Sequence, residues 1–304
     1  ETDTSPETKA AAVAAIAQIE NRHGRPIDAS APNGFVKLAE QFYGEHGSVA
    51  ADVRLREANV WYWDGDTQFL NAVAVPQRIF GSVMAMRACE KALAHDPNRD
   101  DALALWLAAN IRRESRLGMD IESGDASESG DDVDPTRPPN YPRALYFTTA
   151  AGARYAHMVL QRAVTDVDTA VALGAIAALR GVAGPSSLIG SEDHKQAFVQ
   201  ALKFPDLLVR IRAALALGHA VPRQQFTGSE LVVPVLANAI TQTGRRNILV
   251  IDADQNNTNR LLDELRDADT NVIGEANALS GLERARGALE RSVPRHGGHD
   301  AWPR

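Results

Sequence analysis

The feature that most constrains this chain is a self-match at a spacing of 38 residues, running without a gap through its middle. Sliding residues 155–179 onto 193–217 puts Asp168 on Asp206, Val171 on Val209, Ala175 on Ala213 and Leu179 on Leu217, with Leu160 on Phe198. A second shift by the same amount puts Leu236 on Phe198 and Ile240 on Leu202. A fixed period in this range is the signature of a helical solenoid, in which each helix pair buries its apolar face only against its neighbours. Such arrays present surface rather than perform chemistry.

With 304 residues, 44% of them apolar, the chain can bury a large core and has the length of about two domains. A net charge of −7 supplies no global field for nucleic acid or anionic lipid. Lysine occurs only at Lys9, Lys37, Lys91, Lys195 and Lys203; the arginines are scattered, as a high-GC genome produces them. The single cysteine, Cys89, rules out an internal disulfide or a cysteine metal cluster and sits where a small buried hydrophobe is expected. No run approaches the ~20 apolar residues that cross a bilayer. The chain opens Glu1-Thr2-Asp3-Thr4 with no initiator methionine, the opening expected of a trimmed chain or of one that has lost a leader. The expected setting is a bacterial one, cytoplasmic or exported.

Along the chain, Val13, Ile16 and Ile19 in an alanine-rich stretch predict an amphipathic helix over 7–22. A short helix is expected over 35–43. Val60-Trp61-Tyr62-Trp63, then Asp64-Gly65 and Thr67–Leu70, predict a hairpin closed by a type I′ turn. The aromatic run is expected to anchor that hairpin on a helical core, with a stacking platform for a sugar or base as the sharper reading. Helices over 82–95 and 99–113 follow, separated by Asp96-Pro97-Asn98. From Met119 to Pro142 acids alternate with Ser and Gly and give way to prolines, so a mobile acidic loop is expected, without the ligand order of an EF-hand. Helices are then expected over 153–165, 169–181, 193–203, 207–219 and 229–241. After Thr243-Gly244 the period switches to a buried strand at 247–252, a helix over 255–266, a strand at 271–275 and a helix over 278–291. His296 and His299 lie among glycines in an expected flexible tail.

Several of these segments resemble known families. Ala92-Leu93-Ala94-His95-Asp96-Pro97-Asn98, with Ala102, Leu105 and Ala108, resembles a junction between tetratricopeptide repeats. Pro205-Asp206, Val209-Arg210, Ala213-Ala214 and Leu217-Gly218 resemble the HEAT repeat, in which the aspartate caps the inner helix. The β-α-β-α order of 246–291 resembles the first half of a response-regulator receiver domain. That resemblance implies a magnesium-holding acid pair: Asp252 matches the first acid, but Ala253 occupies the second position and Asp254 follows one place late. No third strand with a phosphoacceptor follows. The whole arrangement, with Trp61–Gly65 and Asp134-Pro135-Thr136-Arg137-Pro138-Pro139, is similar to a group of large bacterial HEAT-repeat proteins of uncharacterised function.

The expected fold is therefore mainly α: a solenoid of tetratricopeptide-like and HEAT-like helix pairs with a small C-terminal α/β half-domain. The expected divisions are 1–118 (helices and hairpin), 119–142 (acidic loop), 143–244 (HEAT-like), 245–291 (receiver-like) and 292–304 (tail). The expected function is a non-catalytic protein-interaction or assembly scaffold without cofactor or metal, binding through the helix face of 153–241. Its partner is a protein or a second copy; the alternatives are a degenerate signalling module and a nucleic-acid-binding solenoid. Candidate contact residues are Trp61, Trp63, Arg210 and Arg212. Ile248, Val250 and Val272 join them, because a two-stranded parallel sheet has open edges that must be covered or paired.

Overall fold

The computed structural model describes residues 5–24, 30–122, 133–138, 140–184, 195–220, 228–241, 246–266 and 270–292. The protein is mainly helical, and the strands among the described residues form two separate two-stranded sheets. It divides into two compact units, Glu1–Ala183 and Gly184–Arg304. The helices matched by the 38-residue register fall on both sides of that division.

The first unit holds α1 (Pro6–His23), α2 (Ala31–Tyr43), β1 (Glu57–Asp64), β2 (Phe69–Pro76), α3 (Gln77–His95), α4 (Asp100–Arg116), α5 (Ala144–Ala151), α6 (Ala153–Asp166) and α7 (Thr169–Val182). Its helical core is rich in alanine, and helices approach closely. A Cβ at Gly81 of α3 would stand 2.7 Å from the Phe42 carbonyl oxygen of α2, so only glycine fits there. Cys89 is fully buried, and burial pushes its thiol up to about 12.

The hairpin pairs Val60 with Val73, Trp61 with Ala72 and Trp63 with Leu70. Asp64 pairs with Phe69, leaving four residues in the loop, so the expected two-residue type I′ turn does not form. The Asp64 carboxylate accepts from the backbone N–H groups of Asp66 (2.9 Å) and Thr67 (3.3 Å), which stabilises the longer turn. The inward face carries Val60 and Val75, which pack with Ile79, Val83 and Leu117, with Tyr62 beside them. Val60, Val75 and Tyr62 thus anchor the hairpin, while both tryptophans point the other way.

One helix was not expected. α5 has no side-chain cap of its own. Glu114, buried on α4, supplies the cap: its Oε1 accepts from the Ala144 N–H at 3.0 Å, and its Oε2 accepts from Arg143 Nε at 3.1 Å. Phe147 then packs edge-on against Trp106 of α4, with ring centroids 5.2 Å apart.

The expected mobile loop is only partly open to comparison, since residues 123–132 lie outside the described set. Its later part is held fast at Asp134, whose Oδ2 accepts from Arg113 at 2.8 Å in a pair whose side chains are 3% and 5% exposed. Arg113 also donates to Asn110 Oδ1, and Asp134 Oδ1 accepts from the Thr136 N–H.

The second unit holds α8 (Lys195–Ala201), α9 (Leu207–His219), α10 (Ser229–Thr241), β3 (Arg246–Ile251), α11 (Gln255–Glu264), β4 (Thr270–Glu275) and α12 (Ala278–Ser292). Asp206 caps α9 by accepting from the N–H groups of Leu208 and Val209, as Asp168 caps α7 in the first unit by accepting from Val171. The corresponding Ala175 and Ala213, and Leu179 and Leu217, are all buried. β3 and β4 pair in parallel, Val250 opposite Gly274. The 292–304 segment lies, but for Ser292, outside the described residues, as do His296 and His299.

Asp134→Ala removes one buried partner of Arg113, which keeps Asn110 and Glu114, and should cost about 1–3 kcal/mol. Asp206→Ala removes only a helix cap and should cost about 1 kcal/mol. Urea unfolding midpoints of the two variants check the ranking.

Candidate functional site

Three places in the fold bear on function, two in the first unit and one in the second. The first is a cleft of about 700 Å³ between the end of α2, the C-terminal end of α4 and the corner joining α6 to α7. The corner is sharp because Val167 takes a left-handed backbone (φ 54°) before Asp168 opens α7. Arg112 of α4 donates from Nε to Asp168 Oδ2 at 2.6 Å and from Nη1 to the Tyr43 carbonyl at 2.8 Å. Its guanidinium lies 3.5 Å from the centre of the Tyr43 ring, a close cation–π contact. Arg162 of α6 pairs with Glu40 and lies 3.7 Å from Asp166, and Arg116 pairs with Glu45.

Each arginine lining this cleft is thus matched by a carboxylate that also lines it. Tyr43 is 4% exposed, and its hydroxyl has no hydrogen-bond partner among the described residues. Burial is the main reason its phenol is pushed far above the usual tyrosine range, so the group stays protonated and donates no base. The chemistry on view is charge compensation inside a packed corner. Sequence spacing gave no signal for it beyond the cap at Asp168, because Tyr43, Arg112 and Arg162 come from three separate helices.

The second place is the outward face of the hairpin. Alternation along β1 and the register with β2 put Asn59, Trp61, Trp63, Leu70, Ala72 and Ala74 on that face. Trp61 is 53% exposed, Trp63 66% and Leu70 59%. Around Trp61, Trp63, Leu70 and Ala72 this surface is apolar, and its charged residue, Glu57, stands exposed at the far end of the face opposite Pro76. A sugar platform needs polar groups beside the rings, yet Asp64 is spent on the turn and on Asn71 Nδ2.

The third is the β3–β4 sheet. A Cβ at Gly274 would meet Thr258 and Leu262, so that face lies against α11. Ile248, Val250 and Val272 share it by pleat and register, and they are half-buried there. Gly281 of α12 approaches Ile251 on the opposite face. The faces are therefore covered, and what stays open is backbone. The Asp252 N–H donates to the Glu275 carbonyl, which fixes the ladder's phase. The N–H groups of Ile248 and Val250 accordingly point to β4, while those of Asn247, Leu249 and Ile251 point away from it.

Asp252 and Asp254 serve the turn after β3. Asp252 accepts from the Asp254 N–H at 2.9 Å and from Asn257 Nδ2 at 2.5 Å, and these bonds hold its carboxyl below the usual range. Asp254 caps α11 by accepting from the Asn256 N–H. Among the described residues no group of three or more His, Cys, Asp and Glu side chains is placed to hold a metal ion.

The expectation that Arg210 is a surface contact is overturned: it is 1% exposed. Its guanidinium donates to the carbonyls of Phe204 (2.8 Å) and Pro205 (3.0 Å), tying the turn before α9 to the helix. Position 210 lies one turn before Ala213 and Ala214 and two before Leu217, on the core stripe, where small alanines leave room for the long side chain. Arg212 is half-buried.

Among known proteins, no family model, no curated protein and no solved structure matches the chain.

Tyr43→Phe keeps the ring under Arg112 and removes a buried hydroxyl without a partner. It should raise stability by about 1 kcal/mol; a thermal melt alongside the unaltered protein checks the sign.

Proposed function

We propose that this chain is a non-catalytic assembly scaffold of the helical-repeat type, and that its C-terminal α/β segment joins copies through strand pairing. The matched caps at Asp168 and Asp206, each followed by the same buried alanine and leucine positions, support the repeat reading. The observation that carries the assembly reading is the row of outward N–H groups on β3 at Asn247, Leu249 and Ile251. Both β3 and β4 are edge strands of a two-stranded sheet, and an edge of this kind is a template for another strand. Pairing β3 with its counterpart in a second copy across a two-fold axis satisfies these groups on both sides at once. In the rival reading, a degenerate signalling module, Asp252 would have to turn to a metal, yet both of its carboxylate oxygens are engaged by the turn.

Asn247→Pro separates edge pairing from fold. The outward N–H is lost, the ladder to β4 keeps its bonds, and an edge position tolerates proline. Sedimentation equilibrium should show a lower mass for Asn247→Pro than for the unaltered chain or Asn247→Ala. An unchanged mass sinks the edge-pairing reading.

A further inference from the structure

The hairpin's bare face has a counterpart elsewhere in the same chain. α1 is capped at both ends: Ser5 Oγ accepts from the Thr8 N–H, and Gly24, in the left-handed region, donates its N–H to the Glu20 carbonyl. Yet none of its residues is buried. Val13 is 67% exposed and Ile19 43%, with Ile16 between them on the same stripe. Residues 10–19 contain no charge; Glu7, Lys9, Glu20 and Arg22 stand outside them. Most helical stability in proteins comes from packing an apolar face, and the Val13–Ile16–Ile19 stripe is the face α1 has to offer.

We propose that α1 of one copy lies on the Trp61–Trp63 face of the hairpin of a second copy, reciprocally across a two-fold axis. The dimensions agree. The uncharged part of α1 is about 15 Å long, and Leu70 to Ala74 spans about 13 Å of strand. The chemistry agrees as well, because residues 10–19 of α1 and the stretch of the face around Trp61, Trp63, Leu70 and Ala72 are uncharged, Glu57 lying at the far end, and a sheet with one bare apolar face is completed by a helix laid on it. Within one copy the two do not meet, since α1 buries nothing and the tryptophans stay open. Covering two half-exposed tryptophans and Leu70 removes roughly 300 Å² from each side of a contact. Two reciprocal contacts then total about 1,200 Å², the lower end of specific interfaces. This goes beyond the strand-edge reading: it uses other residues, in the other unit, and stands or falls separately.

The test is a trans cross-link between full-length copies, one carrying Ile16→Cys and the other Leu70→Cys. The native Cys89 is buried and its thiol poorly ionised, so it contributes little background. Under mild oxidation the mixture should give a disulfide-linked heterodimer that neither variant gives alone. Ile16→Glu and Trp63→Glu should each raise the dimer dissociation constant at least about tenfold while leaving the melting temperature of the monomer unchanged. Asn247→Pro should leave the cross-link intact, which separates this contact from edge pairing. The proposal is overturned if no heterodimer forms, or if a single chain carrying both cysteines closes on itself without linking to a second. It is equally overturned if association ignores both glutamate variants.

Discussion

The first unit depends on one charged turn of α4, residues 112–116. Arg112 binds the end of α2 and the cap of α7. Arg113 holds Asp134, and Glu114 starts α5. Arg116 pairs with Glu45 after α2 and donates to the Arg78 carbonyl of α3. Successive residues on a helix point about 100° apart, so a single turn reaches helices on every side. A guanidinium taken out of water needs a partner or costs several kcal/mol, which is why each of these arginines comes with a carboxylate or a carbonyl. Apolar packing among small alanines sets how close the helices come; the charged turn sets which ends meet.

That division of labour explains what could be read in advance. Helices with a clear cap or apolar stripe were legible: α9 runs Leu207–His219 under the cap of Asp206, α10 runs Ser229–Thr241, and Asp168 caps α7. The alternation in Val60–Trp63 marked a strand, and the apolar run ending at Asp252 marked a parallel one. α5 was illegible because its start signal is Glu114, thirty residues earlier in sequence. The hairpin turn was misread because Asp64 supplies side-chain acceptors that favour a longer loop over the two-residue form. Arg210 was misjudged because its identity suggests surface while its position lies on the core stripe. Tyr43, Arg112 and Asp168 meet only in three dimensions, and no spacing announces them.

The same accounting of charge bears on recognition. In the first unit Arg112, Arg113, Arg116, Arg137, Arg143, Arg154 and Arg162 are all paired with acids of their own chain. A phosphate backbone arriving at these positions would compete with carboxylates already in place, and the chain's net charge of −7 opposes its approach. These seven arginines of the first unit fasten the chain to itself rather than form an unpaired basic surface. Two features are left that these ion pairs do not cover: the tryptophan face of the hairpin and the outward N–H row of β3. One offers apolar area and the other directed hydrogen bonds, so they suit different partners geometrically. A helix settles on a flat apolar face, whereas only an extended strand can satisfy a row of amides at the strand repeat. If both proposed contacts form, copies of the chain join in two independent ways. Such a chain closes into a finite assembly when its two symmetry axes intersect and grows without limit when they do not.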